Sequence, residues 1–275
     1  MTIDSHVHFW HYHPAEYGWI DETMTALRRD FMPEDALAVM QPAGIDACVA
    51  VQVRQTLDET RWMLRLADEH PFIAGVIGWV DLRSPDLDAQ IESVVHPKLL
   101  GVRHIVQAEA DDFLLDQRFR RGVGRLVEHG LAYDILIYAR QMPAAIAFAS
   151  QLPDVRLVLD HLGKPDIRQD GFDSWRRDLA RIAAIPNVCA KLSGLVTEAD
   201  WNRWTIEDLH RYVNAAIDAF GPERLMFGSD WPVCTLAAQY GRIVEIIRTA
   251  IDERPQSEQD SIFGGTARRL WRLAV

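Results

Sequence analysis

A chain of 275 residues with 48% apolar and 25% charged residues is long enough for a substantial core and has the composition of a globular protein. Its formal net charge of −11 argues against a nucleic-acid surface, and no run approaches the ~18 apolar residues of a membrane span. Cys48, Cys189 and Cys234 are scattered and lack a Cys-x-x-Cys spacing, which excludes a disulfide framework and a cysteine zinc site.

The first residues are polar and histidine-rich, without the apolar stretch of a secretory signal, so a reducing cytoplasm is the expected compartment. The first predicted strand, 2–6, runs into Asp4-Ser5-His6-Val7-His8-Phe9-Trp10. Alternate residues of a strand face the same side, so His6 and His8 aim at one ligand, metal ion or substrate. An aromatic and polar insert, 11–30, follows and is expected to lie over the mouth of the fold. A helix is predicted at 33–40, opened by Pro33, Glu34 and Asp35 as an N-terminus requires. Next come a strand at 47–52 and a helix at 60–69 with Trp62, Met63, Leu66 and Ala67 at helical spacing. Further strands are predicted at 73–80, 100–104, 132–138, 156–159, 188–192 and 225–228. Helices are predicted at 175–184, 206–220 and 238–251.

Most of these strands are near-continuous Val, Ile and Leu runs, the pattern of parallel strands covered on both faces. Strands alternating with helices imply βαβ units, and eight of them favour a closed (β/α)8 barrel of the TIM type over an open sheet. No Gly-x-Gly-x-x-Gly turn follows the first strand, so the dinucleotide-binding alternative lacks support. No linker or shift in composition divides the chain, and 1–275 is expected to be one α/β domain.

In such a barrel the active site lies at the carboxyl ends of the strands. Reactive side chains gather at those ends: His6 and His8, Gln52 and Arg54, Trp79 and Asp81, Arg103 and His104, Asp134 and Tyr138, His161, Lys191 and Ser193, and Asp230. Several also have structural readings. Asp230 after Gly228-Ser229 suits a cap. Glu109 and Asp111 are candidate partners for Arg103 and His104, and Arg140 or Lys191 for Asp134. Lys191, inside an apolar strand, requires a partner or a ligand.

The chain resembles the amidohydrolase superfamily, in which a strand-1 His-x-His, a strand-6 histidine and a strand-8 aspartate form the skeleton. The phrases Gly78-Trp79-Val80-Asp81-Leu82, Gly101-Val102-Arg103-His104, Asp160-His161-Leu162-Gly163-Lys164-Pro165, Lys191-Leu192-Ser193-Gly194-Leu195 and Phe227-Gly228-Ser229-Asp230-Trp231-Pro232 look like its amidohydrolase 2 branch. More narrowly, they look like the subgroup of lactone hydrolases that includes L-fuconolactonases and L-rhamnonolactonases. The likeness runs from residue 4 to Phe263-Gly264-Gly265-Thr266-Ala267. Two-metal members use a strand-5 histidine, whereas strand 5 here has none and strand 4 offers Arg103-His104. The resemblance therefore implies at most one zinc, held by His6, His8, His161 and Asp230, and a reaction for which the metal is optional.

The resemblance implies hydrolysis of a small-molecule sugar lactone, with L-fuconolactone or a related deoxy-sugar lactone as the expected substrate, without nucleic acid or membrane as a partner. Asp230 is the expected general base for water, with His6, His8, His161 and Arg103 polarising the carbonyl. Glu16, Arg54, Trp79, His104, Asp134, Lys164, Lys191, Ser193 and Trp231 are the expected substrate contacts. The rival readings are a zinc-dependent decarboxylase or a pyrone or muconolactone hydrolase of the same branch, and a sugar-acid binding protein without turnover.

Overall fold

Eight short, almost wholly buried strands form one parallel sheet whose order follows the chain. They are β1 (Ile3–Val7), β2 (Ala47–Val51), β3 (Ile73–Gly78), β4 (Leu99–His104), β5 (Ala132–Ile135), β6 (Leu157–Leu159), β7 (Val188–Leu192) and β8 (Leu225–Phe227). The computed structural model describes residues 1–273, so the last two positions of the expected 1–275 unit lie outside them. The helices are α1 (Pro33–Met40), α2 (Leu57–Glu69), α3 (Leu87–Glu92), α4 (Gln117–Arg125), α5 (Met142–Ala149) and α6 (Phe172–Ala183). They continue with α7 (Leu195–Glu198), α8 (Ile206–Phe220), α9 (Tyr240–Ile251), α10 (Gln256–Asp260) and α11 (Thr266–Trp271). Among the described residues no helix is long and apolar enough to cross a membrane.

The seam between β1 and β8 carries one isolated bridge, Val7 to Trp231. It is fastened beyond the bridge by the residues around the histidine motif. Asp230 N–H donates to the His6 carbonyl at 2.9 Å, and His8 N–H to the Trp231 carbonyl at 2.7 Å. The buried Asp4 carboxylate accepts Ser229 N–H at 2.9 Å, His6 N–H at 3.0 Å and the Tyr240 hydroxyl of α9 at 2.9 Å. The nearly closed barrel is filled by Val49, Val51, Ile77, Leu100, Val158 and Met226, with Trp271 of α11 in the same apolar cluster. A larger apolar cluster lies between the strands and the helices.

The α/β barrel is as expected, and each strand lies within two residues of its predicted limits except β5, which ends at Ile135. Helix α2 starts earlier than residue 60 because the Thr56 side chain caps it, accepting Glu59 N–H at 3.2 Å. Helices α3, α4 and α5 carry weak sequence signals. In α4, Gly122 and Gly124 lower helix propensity, yet a Cβ on Gly122 would fall 1.8 Å from the Leu82 carbonyl oxygen. The glycine lets that helix lie directly on the backbone after β3.

Candidate active site

Strand β1 delivers His6 and His8 to the barrel mouth. His8 Nδ1 lies 2.7 Å from the Val51 carbonyl, which fixes the proton on Nδ1 and turns Nε2 inward. His161 follows β6 in a left-handed turn: His161, Leu162, Gly163 and Lys164 have φ of 53°, 52°, 71° and 49°. For the three non-glycine residues this conformation costs about 1–2 kcal/mol each. Gly194 after β7 makes room for the imidazole, since a Cβ there would come 2.6 Å from His161 Nδ1. Ser193 Oγ meets the same nitrogen at 2.8 Å. Asp230 is also left-handed, at φ 59°.

These side chains converge. Asp230 Oδ1 lies 3.3 Å from His8 Nε2, 3.7 Å from His6 Nε2 and 3.8 Å from His161 Nε2. His6 Nε2 and His8 Nε2 are 3.2 Å apart. A charged layer lies beside His6. Arg103 Nη1 is 3.2 Å from His6 Nε2 and donates to Asp160 Oδ2 at 3.0 Å, while Gln52 Nε2 donates to the Arg103 carbonyl at 3.0 Å. Asp160 Oδ1 stands 3.4 Å from His6 Nδ1 and 2.9 Å from Lys191 Nζ, and Lys191 also pairs with Asp134.

Burial opposes the Asp230 charge, but His161, His8 and His6 outweigh it and hold the carboxyl below its usual range. For Asp160 burial is likewise outweighed, by Lys191 and then His6 and Arg103. Asp134 is pushed up to about 7 by burial against the pull of Lys191. Burial brings His161 down to about 4, and burial with Lys191 carries His6 well below the usual histidine value. Both imidazoles are therefore neutral near pH 7 beside an ionised Asp230.

A cavity of about 280 Å³ opens above this cluster. Its lining includes the expected His8, Arg103, His161, Lys164 and Asp230, together with Trp19 of the insert. Val53, Ile105, Leu136 and Val233 give it an apolar wall, and Gln107 adds an amide. None of these last five was singled out from sequence.

Eight expected substrate contacts lie outside that lining. Lys191 and Asp134 are fully buried in the charged layer and pair with each other. His104 faces the opposite side of β4 from Arg103, stacked on Phe113 and 2.9 Å from Glu109. Ser193 stands behind His161. Glu16 and Arg54 pair with each other at the rim, and Arg54 also approaches Glu59. Trp79 is tied through its backbone to Thr60 of α2, and Trp231 packs on Phe9 and Phe31.

The donor set fits one small cation. With its proton on Nδ1, His8 presents an Nε2 lone pair to a carboxylate oxygen at 3.3 Å, a contact that requires a proton or a cation between the two. His6, His161 and Asp230 bring one ligand atom each within 4.8 Å of one another. The contacts of His8 Nδ1 to Val51 and His161 Nδ1 to Ser193 are the outer hydrogen bonds that orient metal-binding imidazoles.

Known proteins are similar to this chain over most of its length. The chain is 42% identical to an L-fucono-1,5-lactonase of Burkholderia multivorans, over 99% of this chain and 96% of that protein. It is 40% identical to an L-fucono-1,5-lactonase of Burkholderia ambifaria, over 88% and 83% of the two chains. A crystal structure of an amidohydrolase from Burkholderia multivorans with bound zinc superposes with a TM-score of 0.97 at 42% identity, covering 99% of each chain. The chain belongs to the amidohydrolase family, whose profile matches residues 3–273.

Proposed function

We propose that this protein hydrolyses a sugar-acid lactone to its open-chain acid, with L-fucono-1,5-lactone or a related deoxy-sugar lactone as substrate. One observation carries the reading: a carboxylate ringed by three imidazoles, with an arginine in the same lining, sits in a cavity whose other wall is apolar. That wall, Val53, Ile105, Leu136 and Val233, suits the methyl group of a deoxy sugar. The names of the two Burkholderia relatives support the same substrate class.

Asp230 Oδ1 takes a proton from water as the water oxygen bonds to the lactone carbonyl carbon. Arg103 carries a permanent charge at the cavity wall, and any imidazole with a proton on its inward nitrogen adds a donor to the developing oxyanion. When the tetrahedral centre collapses, the bond from carbon to ring oxygen breaks and Asp230 returns its proton to the departing alkoxide. His6, His8, His161 and Asp230 are the residues that would hold a zinc ion, which would supply Lewis-acid polarisation of the carbonyl.

A pH-indicator screen of aldonolactones tests the proposal, because ring opening releases an acid. Turnover of deoxy-sugar lactones is expected. Binding of sugar acids with no turnover of any lactone would sink it.

A further inference from the structure

We propose that Gln107 is a specificity-determining residue whose amide takes one hydroxyl of the substrate, an inference that rests on the lactonase reading above. Gln107 stands in the short turn Val106–Ala108 after β4 and lines the cavity. Three neighbours fix that turn. Gln107 N–H donates to the Leu136 carbonyl at 3.0 Å, Gln141 Nε2 donates to the Val106 carbonyl at 2.9 Å, and Ile105 N–H donates to Gln55 Oε1 at 2.8 Å.

The side chain on this fixed base is idle. Among the described residues the Gln107 amide makes no hydrogen bond, and Oε1 is sealed from solvent without a partner. Gln141, close by, uses both ends of its amide, with Tyr138 N–H at 3.0 Å and the Val106 carbonyl at 2.9 Å. A buried polar atom left unpaired costs about 1–3 kcal/mol, and since no hydrogen bond holds the amide, it can rotate about its terminal torsion to pair Oε1 with a ligand hydroxyl without breaking an existing bond. The ionisable groups of the wall are committed. His8, Arg103, His161 and Asp230 belong to the reacting cluster, and Lys164 Nζ is 3.4 Å from Glu198. An amide offers one acceptor and one donor group, which matches an alcohol hydroxyl and gives a carboxylate no charge to pair with. The geometry thus favours a neutral hydroxylated lactone over a dianionic one.

The test uses Gln107→Leu and Gln107→Met in the full chain, each first checked for the parent melting temperature. They are assayed on L-fucono-1,5-lactone and on analogues each lacking one hydroxyl, and binding of the corresponding open-chain acids is measured by calorimetry. KM should rise about threefold to tenfold with kcat falling less, and the penalty should vanish for one analogue in both variants. An equal penalty on every analogue, or no penalty at all, overturns the assignment. If the parent turns over no lactone, the lactonase reading fails by itself. Weaker Kd values for every acid except the one lacking that hydroxyl would then still support Gln107, and uniform or absent weakening would overturn it.

Discussion

His161 and Asp230 come from the ends of different strands, meet through Nε2 and Oδ1 at 3.8 Å, and both hold left-handed backbone at φ 53° and 59°. Neither is a glycine, so each position is disfavoured by about 1–2 kcal/mol. Strain of this kind persists only where the surroundings over-determine it, and it concentrates where side chains must be aimed. Here the surroundings are identifiable. Asp4 and the His6 carbonyl hold the loop that carries Asp230, and Ser193 with Gly194 holds His161.

Asp230→Asn keeps the shape of the side chain and removes its basicity. We expect kcat for lactone hydrolysis to fall by about 10²–10⁴, the usual worth of a positioned general base, with the circular dichroism spectrum unchanged. Turnover at the parental rate in the indicator assay would rule out the base assignment.

Lys191 pairs with two buried carboxylates, Asp134 and Asp160, and is itself fully buried. Lys191→Met should therefore destabilise the fold by about 3–5 kcal/mol, the cost of stranding a buried charge. Adding Asp134→Asn should recover part of the loss, since it removes one stranded group. Denaturant titration of the single and double variants measures the coupling directly.

The sequence makes some of this legible for definite reasons. His6, His8, His161 and Asp230 are readable because each follows an apolar strand and the barrel gathers strand ends. Depth is not readable: Lys191 and Asp134 are expected at the mouth, but they are fully buried in the layer beside His6 and pair with each other. Facing could have been read further, because Arg103 and His104 are consecutive on β4 and only one can point inward. Gln107 sits in a turn without periodicity, and its significance lies in an amide left idle, which only the packed structure reveals.

Glu59 of α2 is buried and accepts Val53 N–H at 3.0 Å and Arg54 N–H at 2.7 Å, which anchors the loop after β2. Burial pushes its carboxyl up to about 7 from an ordinary 4.5, against the pull of those bonds and of Arg54 and Arg103. A folded value above the unfolded one means this contribution is complete below pH 4.5 and lost as the pH rises to about 7. Between those limits the parent should lose roughly 3 kcal/mol relative to Glu59→Gln, whose amide oxygen still accepts both bonds. Melting temperatures of the two proteins across that range should diverge with rising pH, and parallel curves would contradict the assignment.

Arg103 places a permanent cation 3.2 Å from His6 Nε2, so the site carries positive charge of its own. Dialysis against a chelator is accordingly expected to lower lactone turnover by less than about tenfold. A loss beyond a hundredfold that added zinc restores would instead make the metal essential.

Gly194→Ala tests how closely His161 is positioned. The substitution meets two obstacles: φ is 65°, and the new Cβ would lie 2.6 Å from His161 Nδ1. The backbone cost is about 1–2 kcal/mol, and the contact pushes the imidazole off Ser193 Oγ, to which it is bound at 2.8 Å. Activity should therefore fall by more than the loss of stability explains, with kcat reduced about tenfold or more in protein that is still fully folded. Ser193→Ala removes the same hydrogen bond without the clash and should show a smaller fall in kcat. If Gly194→Ala lowers the melting temperature but leaves kcat intact, His161 does not need its present orientation for turnover.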